Sequence, residues 1–482
     1  MKMLTCSRLN SYFGNPSKWV AKGVILLFAI GSISAQAQES PAQKQSELIK
    51  PLNKRLKSTD LLAQVTETEV SSVTEKPGLV STAMQWLRST DRPGDLQFHG
   101  FVSQAYITTS DNNVFGNSDN GGSFGLTEAG LNASVRPLPR LQLSAQVLSR
   151  RAGEGSSGMP RLDYAIIDYQ VYAHEANQFG IRVGRLKNPF GFYNETRDVA
   201  FTRPSILLPQ SIYFDRTRNL GLSSDSVQLY GDAAIFNWGT FSTQFGVTLP
   251  VVDNRDTESS LLGLVRPGSL NREVSYIGRG IFETNDKRLR LGVSGIWLNT
   301  SYDPNNKLND LIGSGALQFT PVFFSAQYNT ERWTLTSEYA IRPFHYNNNF
   351  GVAEPTARGL NGLDFVGESY YFQGEYRFTP KWEGIVRYDA LFTDRSDRDG
   401  KDWVAESPTR RSGLAHSRFA KDITVGLRWN VTPQFMLRAE YHYVNGTAWL
   451  SGLDNPIDLK TGRPFDTDQH WHLYAIQASY RF

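Results

Sequence analysis

The stretch Leu473-Tyr474-Ala475-Ile476-Gln477-Ala478-Ser479-Tyr480-Arg481-Phe482 changes character at every step. Successive side chains of an extended chain point to opposite faces. Tyr474, Ile476, Ala478, Tyr480 and Phe482 therefore share one side, and Leu473, Ala475, Gln477, Ser479 and Arg481 the other. The first side is fit for lipid and the second, toward its end, for water.

The same split recurs upstream. Phe435, Leu437, Ala439, Tyr441 and Tyr443 oppose Arg438, Glu440 and His442, while Ile423, Val425, Leu427 and Trp429 oppose Asp422, Thr424 and Arg428. Trp333, Leu335, Tyr339 and Ile341 oppose Thr334, Thr336, Glu338 and Arg342; Leu289, Leu291, Val293 and Trp297 oppose Arg288, Arg290 and Ser294. Leu141, Leu143, Ala145 and Val147 oppose Gln142, Ser144, Gln146 and Arg150. Such runs lie near residues 96–109, 123–136, 139–150, 162–173, 178–187, 225–236, 239–250, 273–284, 287–299, 311–328, 332–342, 366–378, 381–392, 418–430, 433–445 and 469–482, sixteen in all. The run holding Thr320-Pro321 leaves two strands open in place of one, because proline lacks a ladder donor.

Seven connections are tight and carry turn chemistry: Pro137-Leu138-Pro139, His174 to Asn177, Asn237-Trp238-Gly239, Asn285-Asp286, Asn329-Thr330-Glu331, Thr379-Pro380 and Thr432-Pro433. Longer ones lie between them. Strict alternation of short with long predicts an all-β fold, a transmembrane antiparallel β-barrel of about sixteen strands with both ends of the wall in the periplasm. A soluble β-sandwich would not need strands this long with one face so consistently apolar. The hydrophilic average (mean hydropathy −0.39) fits a barrel that hides its apolar residues at every second position, and the 12% aromatic content fits girdles at the lipid headgroups.

Residues 1–37 read as a signal peptide: Lys18 and Lys22 precede the apolar run Gly23 to Ile33, and Ala35-Gln36-Ala37 supplies a cleavage site. That run is about half of what a spanning helix needs. Cleavage would remove four cations (Lys2, Arg8, Lys18, Lys22), no acid and the lone Cys6, taking the formal charge from +3 to −1. The mature chain then has no disulfide, no thiol chemistry and no basic face for a nucleic acid. Residues 38–95 are polar, rich in Ser, Thr, Lys, Glu and Gln, and predict a largely disordered periplasmic extension, with a short helix over Leu79 to Leu87; the barrel occupies 96–482.

Phe482 preceded by Tyr480 resembles the end of bacterial outer-membrane barrels generally, whose last strand is read by the assembly machinery. The phrase Gly184-Arg185-Leu186-Lys187-Asn188-Pro189-Phe190-Gly191, with strands of similar texture around it, resembles the phosphate-selective porin O/P family over about residues 96–482. That resemblance implies a sixteen-stranded homotrimeric porin with an inward-folded third loop. It does not carry phosphate selectivity, since the family's basic binding residues have no residue-by-residue match here.

Sixteen strands enclose a lumen too wide for side chains to fill, so something must constrict it. The third long connection, roughly 188–224, is the candidate: Pro189, Pro204 and Pro209 with Phe190, Phe192, Phe201, Ile206, Leu207, Leu208 and Tyr213 predict an ordered, packed insert. Pore-constriction candidates are Lys187, Glu195, Arg197, Asp198, Arg203, Asp215, Arg216 and Arg218. Alternation points Arg150, Arg182, Arg290, Glu338, Glu375, Arg377, Arg387, Arg428 and Arg438 into the lumen as wall candidates. An inward majority of arginine would concentrate anions. The alternative is that these residues pair with one another and hold the third loop.

Catalytic and metal patterns are absent. The seven histidines are scattered, without a Ser-centred nucleophile turn or a His-Glu-x-x-His helix. His470 and His472 read as aromatic rim, and the Asp/Asn-rich stretch Ser110 to Asn120 as an exposed loop, with no EF-hand spacing. Asp394 to Lys401, dense in charge, suits a loop facing lipopolysaccharide. The expected function is a non-enzymatic passive diffusion channel for small polar or anionic solutes, needing no cofactor. An occluded structural or adhesion barrel and an outer-membrane hydrolase are the alternatives.

Overall fold

The computed structural model describes residues 96–174, 177–252, 254–262, 267–305, 313–347, 364–405, 414–456 and 467–482. The signal peptide, the 38–95 extension and its Leu79–Leu87 helix lie outside them. The described residues form a closed antiparallel barrel of sixteen wall strands. These are β1 (Gln97–Thr109), β2 (Ser123–Leu138), β3 (Leu141–Ala152), β4 (Arg161–His174), β5 (Asn177–Lys187), β6 (Ser223–Ile235) and β7 (Gly239–Pro250). Then come β8 (Ser269–Arg272 with Ser275–Thr284), β9 (Leu289–Asp303), β10 (Gly315–Phe319 with Val322–Asn329), β11 (Trp333–Asn347) and β12 (Asp364–Arg377). The wall ends with β13 (Trp382–Phe392), β14 (Phe419–Asn430), β15 (Phe435–Gly446) and β16 (His470–Arg481).

Each strand pairs with its sequence neighbour, and β16 returns to β1 in register Phe101↔Arg481 through Thr109↔Leu473. The seam is finished by Phe482, whose backbone exchanges hydrogen bonds of 3.1 and 3.0 Å with Gly100. Its ring lies over that glycine, where a Cβ would come within 2.3 Å of it. A larger residue at position 100 would displace that ring.

The question posed by Pro321 resolves into one strand with a break. Both halves of β10 pair with the same neighbours, β9 and β11. At the break Pro321 gives only its carbonyl, which accepts the Ile296 N–H at 3.1 Å, and the Thr320 N–H turns to Pro343 O at 3.0 Å. Because the break spans two residues, the inward–outward alternation continues unshifted.

Tight turns close one end through side-chain caps. The Thr432 hydroxyl accepts the N–H groups of Gln434 and Phe435, and Thr379 those of Lys381 and Trp382. Near that end the outer wall carries paired rings, Trp382 stacked on Trp429 at 5.1 Å and Trp333 tilted against Tyr376 at 4.5 Å. Above them an aliphatic belt (Val183, Val227, Val293, Val386, Val425, Ile476) faces outward, as expected of a lipid-facing band. Inward positions of the same strands, such as Glu338, Arg387 and Gln477, are buried.

A charge placed in that belt must be taken out of water. Val386→Arg is expected to lower unfolding free energy in bilayers by about 2–4 kcal/mol, whereas Thr334→Arg, on the inward face near the turns, is expected to change it little. Urea titration of lipid-reconstituted protein followed by tryptophan fluorescence checks this; equal losses would mean that the two faces are misassigned.

Candidate functional site

Residues 188–222 leave β5, turn into the barrel and return to β6. They carry two single 3-10 turns (Asn194–Thr196, Ala200–Thr202) and one helical turn (Arg218–Leu222). Every residue from Arg203 to Tyr213 is buried. A segment outside the sheet ladder has backbone groups that need partners, and the wall supplies them. The Glu338 carboxylate accepts the Phe192 N–H (3.0 Å) and the hydroxyls of Ser325 (2.6 Å), Tyr213 (2.6 Å) and Tyr371 (2.8 Å). The Tyr213 oxygen in turn accepts the N–H groups of Phe192 and Tyr193 at 2.8 and 2.9 Å. Glu440 takes the Ile206 and Leu207 N–H groups, and Asp389 that of Ser211 at 3.2 Å.

Arginines serve the carbonyls. Arg387 donates to Leu207 O (3.0 Å) and Ser205 Oγ (2.9 Å); Arg438 donates to Arg203 O (3.1 Å) and Ser205 O (2.8 Å). Apolar contacts follow the same path: Phe190, Leu208, Ile212 and Tyr213 pack on Phe323, Ala340 and Tyr371, and Ile206 and Leu207 on Leu473 and Trp471. The predicted ordered insert is present and crosses the lumen.

On the β2–β5 side the loop meets an ionic cluster. Lys187 bridges Asp163 (2.6 Å) and Asp198; Asp198 also meets Arg218. Glu128 binds Arg150 (3.1 Å) and Arg203 (2.5 Å), and Arg150 reaches Asp215 at 2.9 Å, with Arg197 3.8 Å from the same carboxylate. Five cations thus face four carboxylates. Arg197 also donates to Tyr213 O at 2.9 Å. Glu195 stands apart, paired with Arg279 of β8, and Arg216 binds Ser260 Oγ (3.1 Å) and Ala448 O (3.4 Å) toward the long-loop end.

The wall candidates all point inward, but they are not a free arginine field. Arg150, Arg387 and Arg438 hold the loop, and Arg182 pairs with Asp168 at 3.0 Å. Arg290 lies over the Phe192 ring at 4.7 Å, and Arg428 approaches Phe201 O at 3.4 Å. Toward the tight turns the charged interior is more open: there Glu375 takes Gln373 Nε2 at 2.7 Å, and Arg377, 58% exposed, sits 4.0 Å from Glu383. Of the two sequence alternatives, the pairing of these residues with each other and with the loop describes what is found.

Glu128, Asp163 and Arg279 were not singled out in the sequence. Glu128 and Arg279 lie at inward positions of regular strands, so alternation alone would have found them. Asp163 sits in a bulge, where the β3–β4 register slips between Gln146 and Val147, and simple parity misassigns it.

Four loops close over the long-loop end. The stretch Ser110 to Asn120 is not simply exposed: Asn112, Val114 and Ser118 are buried, because the Asn112 amide exchanges two 2.9 Å hydrogen bonds with the Asp468 backbone and Asn455 does the same for Asn113 at 2.8 Å. Asp454 Oδ1 accepts the N–H groups of Gly116 (3.1 Å) and Glu154 (2.8 Å), and Asp256 Oδ1 accepts the Ser451 hydroxyl at 2.7 Å. Burial pushes the Asp454 carboxyl from its usual 3.8 to about 6; the Asp256 and Glu154 charges add to the shift and the two N–H donors oppose it. Burial raises Asp256 as well.

Two outcomes follow from these anchors. Glu338→Ala strands one loop N–H and three hydroxyls, so it is expected to cost about 3 kcal/mol of stability and to give noisier, larger channel currents, with Glu338→Gln intermediate; unchanged current noise would contradict the anchoring role. A carboxyl raised in the folded state favours its protonated form, so cap stability is greatest at low pH and declines as pH rises from about 4 through about 6. Rate-corrected hydrogen exchange at residues 447–456 should therefore be slower at pH 5 than at pH 7, and Asp454→Asn should flatten the difference.

A model of the family described as phosphate-selective porin O and P matches residues 111–461. No curated protein matches the chain. Among solved structures, it is similar to outer-membrane expressed OmpT of Vibrio cholerae (TM-score 0.49, 11% identity, 82% of this chain and 99% of that one). It is similar also to the outer membrane channel DcaP of Acinetobacter baumannii (0.48, 13%, 82% and 99%) and to Pseudomonas putida OprB (0.47, 12%, 84% and 97%).

Proposed function

The chain belongs to the phosphate-selective porin O and P family, so it is an outer-membrane barrel that forms a passive channel, and we propose that it passes small polar or anionic solutes as a homotrimer. The observation that carries the solute reading is the third loop lodged across the lumen by Glu338, Asp389 and Glu440, a constriction that would restrict passage to small solutes. The constriction candidates Lys187, Glu195, Arg197, Asp198, Arg203, Asp215, Arg216 and Arg218 lie in or beside this loop, most of them buried, with Glu195 and Asp215 the more open to a passing solute. Support for an anion preference is the one-cation excess of the cluster around Glu128, a modest field and not an arginine-lined pore.

Support for a protein-covered wall comes from its outer face. Arg185 of β5 and Asp225 of β6 point outward and pair at 2.8 Å, and Arg272 joins the same carboxylate. Charges facing lipid are costly, and this trio borders a depression floored by small residues, Ala133, Ala145 and Ala165. A neighbouring subunit seated there shields the charges. Export through cleavage after Ala37, delivery of β16 to the assembly machinery, and lipopolysaccharide around the long-loop rim complete the reading.

Single-channel recording of purified protein under a salt gradient tests it. Stepwise conductance in threes with a reversal potential favouring chloride is expected, and a folded, inserted protein that never conducts would point to the occluded barrel. Asp225→Ala, leaving Arg185 and Arg272 without their shared carboxylate, should shift unheated gel samples from trimer toward monomer; an unaffected trimer would place the interface elsewhere.

A further inference from the structure

Toward the long-loop end, beyond Glu338 and Tyr371, four strands set a row of apolar side chains on the inner face. Leu298, Phe319, Phe344 and Phe365 are successive cross-strand partners on β9, β10, β11 and β12. The rings overlap: Phe319 and Phe344 stand 4.3 Å apart at 26°, Phe344 and Phe365 4.8 Å apart at 20°. Leu261 and Leu262 of the helix Arg255–Leu262 join the fully packed part of this cluster, but all three phenylalanines keep part of their surface open. Partly open rings on the inner face offer a flat apolar surface to an aromatic solute.

The next row down is Arg342 opposite Gly367. The guanidinium lies across the glycine, where a Cβ would stand 3.1 Å from Nη2 and 3.3 Å from Nε. Nη2 donates to Phe392 O at 3.1 Å, and the residue as a whole keeps part of its surface open. This cation borders the ring strip, since Arg342 and Phe344 are two residues apart on one face, as are Gly367 and Phe365.

We propose that the Phe319–Phe344–Phe365 strip with Arg342 is a docking site for a ring-bearing carboxylate entering the channel. The ring lies against Phe344 and Phe365, and the carboxylate pairs with the Arg342 guanidinium. A small hydrated anion would lose water against the rings and gain a single donor, and a phosphate would leave most of its oxygens unsatisfied. The site rests on the channel reading for its purpose, not for its chemistry.

Saturation-transfer NMR of benzoate and acetate with the folded full chain in detergent separates the two claims. Transfer to benzoate is expected at concentrations where acetate shows none, with binding weakened about tenfold in either Phe344→Ala or Arg342→Gln, the loss of roughly one stacking contact or one hydrogen bond. Wild-type protein that treats benzoate and acetate alike overturns the site, and this arm needs no variant to fold. Benzoate binding in a protein that carries no chloride current would overturn the channel reading and leave the site standing; chloride current without benzoate binding would do the reverse.

Discussion

Everything inside this barrel depends on a segment of thirty-five residues, 188–222, that has no sheet partner and yet is largely buried. Its N–H and C=O groups cannot be left bare. Wall carboxylates take N–H groups of the loop and wall arginines its carbonyls, so several buried charges and much of the loop backbone answer one another. Removing either side would strand the other, which is why the interior charges are better understood as loop fasteners than as a coat of solvated lining. The rings of Phe190 and Tyr213 against Phe323 and Tyr371 then fill the spaces between fasteners.

The wall was legible in the sequence because lipid on one side imposes a period of two on every strand and because turns such as Thr379-Pro380 and Thr432-Pro433 mark where the chain reverses. Even the Pro321 strand obeyed the pattern, its break spanning an even number of residues. The loop's packing was legible from its apolar content. Partnerships were not: that Glu128 meets Arg203, 75 positions away, or that Glu440 meets Ile206, 234 away, is set by the third dimension. Local pattern also failed where geometry departs from it, at the Asp163 bulge and in the Asn112–Ser118 loop, whose polar residues bond across to Asp468 and Asn455.

Counting inward arginines overstates the field that a passing solute meets. Arg387 and Arg438 are almost wholly buried and turned toward backbone carbonyls, and Arg150 and Arg203 share Glu128. A permeating ion senses the residue of this balance together with the less buried charges near the turns, such as Arg377 and Glu375, so selectivity belongs to a small remainder and not to the total.

The seam between β1 and β16 gives the loop a second significance, in the order of assembly. It joins Phe101 to Arg481, partners some 380 positions apart, the longest closure the wall requires and the slowest to find by chance. The third loop touches both sides of that seam, through Glu128 on β2 and through Glu440 on β15. While the sheet is still open it can tie the two free edges to one scaffold and shorten the search that Phe482 and Gly100 complete. The segment that narrows the finished barrel is thus placed to serve as a jig for its closure as well.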